Sequence, residues 1–198
     1  MLENTGIVHF CSVDLVDWPV KKAHEKLIRM AKERNVIVSF DPNVRLPLWD
    51  SPKACQDAIR EFLPYADIVK LSDDELFFVT GCKTEKEVVE KLFAGNCRMV
   101  IITKGGDGSC VYTKNAGASV PSVHVEQVVD TTGAGDSFVG SFLYQLASSD
   151  YTLEQLDTIS DDELKRFLDF SAHYAALTVG KKGAIMATMQ EMREHGME

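Results

Sequence analysis

The stretch DTTGAGDSF, Asp130 to Phe138, places two glycines and two carboxylates around the start of a predicted helix. Gly133 and Gly135 permit backbone conformations that a side chain would obstruct, so successive N–H groups can turn toward one point. The stretch therefore predicts an anion-binding turn at the positive N-terminal end of a buried helix. The buried face of that helix is an apolar stripe of Phe138, Val139, Phe142, Leu143 and Leu146.

Asp136 lies in the first turn of this predicted helix. A carboxylate there commonly does no more than stabilise the helix, by about 0.3 to 1 kcal/mol. Beside an anion-binding turn it can instead take the proton from an attacking hydroxyl, while the N–H groups stabilise a transferred phosphoryl group. The combination indicates a small-molecule kinase. A dinucleotide site is disfavoured because Gly140 is misplaced for a GxGxxG pattern, and no GxxxxGKS/T loop occurs.

Upstream of this turn, strand-like apolar runs alternate with segments of helical period. The rhythm is typical of βαβ units that build a mostly parallel sheet with helices on both faces, a three-layer α/β/α arrangement. Residues 109–125 differ, because two β-rich runs flank a turn sequence and predict an antiparallel edge. We expect residues 1–198 to form a single α/β domain. The predicted buried strands are 6–13, 36–40, 67–71 and 98–103, and the clearest helices are 21–34, one starting at Ser51-Pro52, and 161–179.

Composition narrows the choice of partners. Thirty acidic against 21 basic residues give a net charge of -9, which disfavours nucleic acid because binding it requires Lys and Arg to neutralise phosphates. We therefore expect a small-molecule partner. No apolar run approaches the length of a membrane helix, and the first residues lack the pattern of a signal peptide, so we expect a cytoplasmic protein. The five cysteines are scattered and predict free thiols.

The longer stretch DTTGAGDSFVGSF resembles the C-terminal signature DTxGAGD of the ribokinase (PfkB) family of sugar kinases, most like the bacterial fructokinases. The resemblance implies a ribokinase-like fold and transfer of the γ-phosphoryl group of ATP to a sugar hydroxyl, with Mg²⁺ and also K⁺ as cofactors. It covers nearly the whole chain. Four further segments follow the family order: FDPNVRLPLW (40–49), KLSDDELFFVTG (70–81), TKGGDGS (103–109) and LTVGKKGA (177–184).

The resemblance also implies roles for individual residues. Asp136 would be the catalytic base, with the N–H groups of Gly133, Ala134 and Gly135 as the anion hole. The nucleotide would meet Thr103, Gly105, Gly106 and Gly108, with His173 near adenine. The acceptor would lie near Asp41, Asn43 and Arg45. Glu75 would organise magnesium through water, and Asp130, Thr132 and Gly183 belong to a monovalent-cation loop.

Several of these positions have plainer explanations. Ser72 replaces the asparagine of the family's Asn-x-x-Glu, and Ser-x-x-Glu is itself a helix-capping sequence. The glycines of 105–108 suit a tight turn, Asp130 suits a turn cap, and His173 suits a packed helix histidine. Arg45 keeps open a 2-keto-3-deoxygluconate kinase, because guanidinium pairs well with an acidic sugar.

The family's opening portion, with much of the sugar pocket and a β-rich lid, has no counterpart in this sequence. Catalysis would suffer, because holding the hydroxyl against the phosphate supplies roughly 7 to 11 kcal/mol of barrier reduction. One alternative is therefore a non-catalytic nucleotide-binding or assembly module. Exposed sheet edges would favour pairing with a second copy as a homodimer.

Overall fold

The computed structural model describes residues 2–197 and contains one six-stranded sheet whose strands lie in chain order. Neighbouring strands are parallel from the first to the fourth, and the last two are antiparallel. The mostly parallel sheet with an antiparallel edge is thus confirmed, although the second β-rich run ends at Val120 rather than Val125. The strands are β1 (Ile7–Cys11), β2 (Ile37–Asp41), β3 (Ile68–Ser72), β4 (Met99–Thr103), β5 (Ser109–Thr113) and β6 (Gly117–Val120).

One face of the sheet is covered by the helices that connect the parallel strands. Consecutive right-handed crossovers between strands laid down in one direction place their helices on the same side. Phe10 of β1 and Phe40 of β2 stack there with ring centroids 4.4 Å apart, and both are buried. The helices are α1 (Pro19–Lys32), α2 (Pro52–Phe62), α3 (Leu76–Thr80) and α4 (Glu85–Phe93).

The opposite face is covered by two helices that follow β6, namely α5 (Ala134–Ser148) and α6 (Asp161–Val179). Phe142 of α5 meets Phe167 of α6 edge-on, with ring centroids 5.7 Å apart, and neither ring is exposed. A short α7 (Met189–Glu194) follows α6. The sheet therefore lies between two helical layers, which confirms the three-layer prediction.

Helix starts follow the capping residues of the sequence in most cases. Ser51 caps α2 by accepting a hydrogen bond from the Ala54 N–H at 3.1 Å, and reciprocal boxes form at Thr84-x-x-Glu87 and Thr188-x-x-Glu191. The sequence Ser160-x-x-Glu163 has the same pattern but forms half a box: the Ser160 hydroxyl accepts from the Glu163 N–H, whereas the Glu163 carboxylate accepts from Tyr151 and Arg166. Tertiary partners thus outcompete the local cap.

The five cysteines are free, as expected. Within residues 2–197, none of the helices combines the length and apolar character that crossing a membrane requires.

Candidate active site

A cavity of about 580 Å³ opens where β3 and β4 end. Ser72 and Thr103, the last residues of these two strands, both line it, and the carboxyl ends of parallel strands are where open α/β sheets bind ligands. The cavity brings together six residues that the resemblance assigned to nucleotide and anion binding: Thr103, Gly105, Gly106, Gly108, Ala134 and Gly135.

Part of the cavity wall was not anticipated from the sequence. It is lined by residues 122–125 and Val128, which follow β6, and by the small residues Ala172, Ala175 and Ala176 of α6. Because these α6 side chains are small, they leave space in the cavity for a ligand between α6 and the residues that follow β6. His173 is not among the lining residues: its Nδ1 lies 2.8 Å from the Asp169 carbonyl oxygen, one turn back on α6. A contact between His173 and a nucleotide stays a prediction.

The turn that opens α5 contains a left-handed glycine. Gly133 has φ of 82°, and a Cβ there would lie 3.4 Å from Ala184. The Ala134 N–H donates to the Thr131 carbonyl at 3.2 Å, so the predicted trio of free amides is not present in full. Within residues 2–197, the amides of Gly133 and Gly135 have no hydrogen-bond partner, and the α5 N-terminus presents them with its positive partial charge.

Asp136 projects from this N-terminus into an open position. Its side chain is exposed, and its Oδ1 accepts a hydrogen bond of 3.4 Å from Asn43 Nδ2. Asn43 follows β2 in a left-handed conformation with φ of 42°, and the Asp41 Oδ1 accepts its backbone N–H at 3.1 Å. The structure thus brings the predicted base together with the acceptor segment, residues 41–45, which is predicted to lie near the sugar. The two are far apart in the sequence.

Asp41, which was predicted to lie near the acceptor, is only 2% exposed, and its proximity to an acceptor stays a prediction. Its Oδ2 forms an ion pair of 3.1 Å with Lys70 Nζ, and Lys70 is also buried. Burial raises the pKa of Asp41 to about 6, even though the Lys70 ammonium favours the ionised form. Sequence reasoning missed Lys70, and the available signal was a single lysine inside the otherwise apolar strand that became β3.

Glu75 ties the acceptor segment to the end of β3. Its Oε1 accepts the Val44 N–H at 2.7 Å and its Oε2 accepts the Ser72 N–H at 2.9 Å. The capping explanation of Ser-x-x-Glu is thereby satisfied, and each carboxylate oxygen retains a lone pair that could accept from a metal-bound water. Residues 2–197 contain no cluster of three or more His, Cys, Asp or Glu suited to direct metal coordination.

Asp130 connects the turn before α5 to the backbone at Gly183 through hydrogen bonds. Its Oδ1 accepts from the Thr132 N–H at 2.9 Å and the Thr132 hydroxyl at 2.7 Å, and its Oδ2 accepts from the Gly183 N–H at 3.0 Å. These bonds, led by the Thr132 hydroxyl, lower the pKa of Asp130. The three residues predicted for the cation loop are therefore adjacent, and the turn-capping role is present. Cation binding stays a prediction.

Two basic side chains near the site are held by neighbours. Arg45 is exposed, and its Nη1 donates to the Val44 carbonyl at 3.1 Å. Lys104 Nζ lies 2.7 Å from Glu85 Oε1, and this bond raises the pKa of Lys104. Lys104 follows Thr103 in sequence but does not line the cavity.

Together, the mostly parallel sheet, the cavity at its carboxyl ends and the free amides at the start of α5 define an α/β protein with a cavity where open α/β sheets bind ligands. The chain belongs to the pfkB family of carbohydrate kinases, whose family model matches residues 1–191.

Named relatives agree with this assignment. The chain is 39% identical to fructokinase-2 of Solanum lycopersicum over 190 residues, covering 94% of this chain and 56% of the relative. Fructokinase-2 of Zea mays is 39% identical over 189 residues, covering 94% and 54%. The chain therefore spans about half the length of the curated relatives that it matches.

Solved structures give the same result. Fructokinase from Xylella fastidiosa with bound ATP superposes with a TM-score of 0.83 at 30% identity, covering 96% of this chain and 62% of that one. Fructokinase from Vibrio cholerae O395, bound to fructose, ADP and calcium, gives a TM-score of 0.79 at 31% identity, covering 91% and 56%. These likenesses confirm the ribokinase-like fold that the resemblance implied.

Proposed function

We propose that the chain is the nucleotide-binding and catalytic part of an ATP-dependent, fructokinase-like sugar kinase. The observation that carries the proposal is the exposed carboxylate of Asp136 at the start of α5, next in sequence to Gly135, whose free amide belongs to a residue that lines the 580 Å³ cavity. In this proposal the amides hold the phosphoryl group and Asp136 accepts the proton of the sugar hydroxyl. The fructokinases among its relatives support fructose as the acceptor.

Magnesium would enter with the nucleotide phosphates. Mg²⁺ retains several waters and needs few protein ligands. This fits a site where both carboxylate oxygens of Glu75 already accept hydrogen bonds from backbone amides. When bound, the ion would neutralise charge on the phosphates. In the same proposal, Asp130, Thr132 and the backbone at Gly183 hold a monovalent cation that stabilises the turn before α5.

A second candidate function is a non-catalytic nucleotide-binding or assembly module. Within residues 2–197, β1 pairs with β2 and leaves its other edge open, and an open edge can accept a strand from a second chain. A homodimer would make this edge an interface, which light scattering on the purified chain would detect as a doubled mass.

The two functions are separated by measuring binding and turnover on the same protein. Calorimetry with Mg-ATP reports nucleotide binding, and a coupled ADP assay with fructose or 2-keto-3-deoxygluconate reports transfer. A kinase binds Mg-ATP and releases ADP when its sugar is added. Binding without sugar-dependent ADP release would favour the second function for this chain, and absence of Mg-ATP binding would reject both the kinase and the nucleotide-binding module.

The role of Asp136 is tested by Asp136→Asn. The change removes the base but leaves the backbone amides in place, so we expect ADP release to fall by about 10²- to 10⁴-fold with little change in ATP affinity. Asp150→Asn is a matched control at the far end of α5, where φ of 54° suits asparagine. Equal turnover in the two variants would exclude Asp136 as the base.

A further inference from the structure

Lys70 is a buried cation that the roles assigned above do not use. It is 5% exposed and lines the cavity. Its Nζ lies 3.4 Å from the position that a Cβ on Gly135 would occupy, so the ammonium faces the start of α5. The cavity therefore contains a positive side-chain charge next to Gly135, whose amide N–H is free.

The hydrogen-bonding capacity of this ammonium is not filled by the protein. A lysine ammonium has three N–H donors, and within residues 2–197 Asp41, at 3.1 Å, is its sole acidic partner. Leaving donors of a buried charge without acceptors is costly. Oxygen atoms of an anion inside the cavity would satisfy them.

Asp41 connects Lys70 to the acceptor side of the site. One carboxylate oxygen of Asp41 holds Lys70, and the other accepts the Asn43 N–H at 3.1 Å. The Asn43 side-chain amide then reaches Asp136 at 3.4 Å. A continuous polar chain thus runs from Lys70 through Asp41 and Asn43 to the proposed base.

We infer that Lys70 binds the terminal phosphate oxygens of a nucleoside di- or triphosphate in this cavity, and that Asp41 is a positioning residue which holds both Lys70 and Asn43. The inference rests on the proposed nucleotide site and adds two roles to it. Asp41 acts on the reaction through Lys70 and Asn43, which explains how a residue beside the acceptor segment can be fully buried.

The test measures affinity as a function of phosphate number. Wild-type protein is titrated calorimetrically with adenosine, AMP, ADP and β,γ-imido-ATP, in the presence of Mg²⁺. Lys70→Met should weaken binding of ADP or the ATP analogue by about 10- to 100-fold, the worth of one charge-assisted hydrogen bond, and leave adenosine affinity unchanged. Lys70→Arg should retain much of the phosphate-dependent gain, and Asp41→Asn should lose part of it.

Lys104→Met is the matched control, since Lys104 is paired with Glu85 outside the cavity lining. It should leave all four affinities unchanged. If Lys70→Met does not fold, the double variant Asp41→Asn, Lys70→Met removes both buried charges and is titrated in its place. A full phosphate-dependent gain in Lys70→Met or in the double variant would overturn the inference while the nucleotide site stands. Equal weakening of adenosine and ADP would show a merely structural role, and no binding by wild type would reject the nucleotide site itself.

Discussion

Gly108→Ala should lower the stability of the folded protein strongly, because the backbone around Gly108 leaves no room for a side chain. Gly108 has φ of 95° and ψ of -149°, a region that glycine alone occupies readily. A Cβ would lie 2.1 Å from the Val120 carbonyl oxygen and 2.9 Å from the Pro121 backbone. Val120 is paired with Ser109 in the β5–β6 ladder, so the clash can be relieved only by moving paired backbone.

The expected magnitude follows from two costs. Backbone strain of this kind is worth roughly 1 to 3 kcal/mol, and overpacking against a rigid neighbour about 1 to 3 kcal/mol. The sum of about 2 to 6 kcal/mol corresponds to a drop in Tm of roughly 5 to 20 °C for a chain of this size.

The matched control is Gly106→Ala in the same loop. No atom lies within 4 Å of its Cβ position, and its φ is not positive. Thermal denaturation followed by circular dichroism should show a large loss of Tm for Gly108→Ala and almost none for Gly106→Ala. Equal Tm values for the two variants would show that residues 108 and 120 do not approach each other this closely.

Two further predictions concern charges away from the cavity. Asp67 is buried and accepts the Val38 N–H at 2.9 Å, so Asp67→Ala should lower the free energy of unfolding, measured by urea denaturation, by about 1 to 3 kcal/mol. The control Asp57→Ala breaks an exposed ion pair and should lower it by less than about 0.5 kcal/mol. Equal losses in the two variants would contradict the reasoning. The hydrogen bond from Lys181 lowers the pKa of Glu191 to about 2 from 4.5. Because this pKa is depressed in the folded state, its stabilisation is present above pH 4.5 and is lost toward pH 2, so the gap in Tm between wild type and Glu191→Gln should close over that range, and a constant gap would disprove the assignment.

The sequence predicted the layers of this fold because each depended on local patterns. The apolar runs marked β1 to β4 to within a few residues, and proline and serine at 51–52 marked the start of α2. The capping box at Ser160 is incomplete because the Glu163 side chain has partners outside the capping sequence. Local pattern cannot anticipate such competition, since the competing groups approach through tertiary packing.

The site itself was predictable where it consists of backbone and unpredictable where it depends on strand register. The turn before α5 is encoded in consecutive residues, and it formed with the left-handed Gly133 that its sequence required. Lys70 and Asp41, in contrast, lie on different strands, and the sequence around either residue does not identify the other as its partner. Register decides their relationship: Ser39 lies opposite Ile68 and Phe40 opposite Val69, so the next pair in line is Asp41 and Lys70.

Side chains alternate between the two faces of a strand, and Phe40 and Val69 belong to the face covered by α1 to α4. Asp41 and Lys70 must therefore point to the other face, where α5 begins. A one-residue change of register would separate this pair and would leave each charge buried alone. The ion pair thus does more than neutralise two charges, because it stabilises the one alignment of β2 and β3 that brings Asn43 within reach of Asp136.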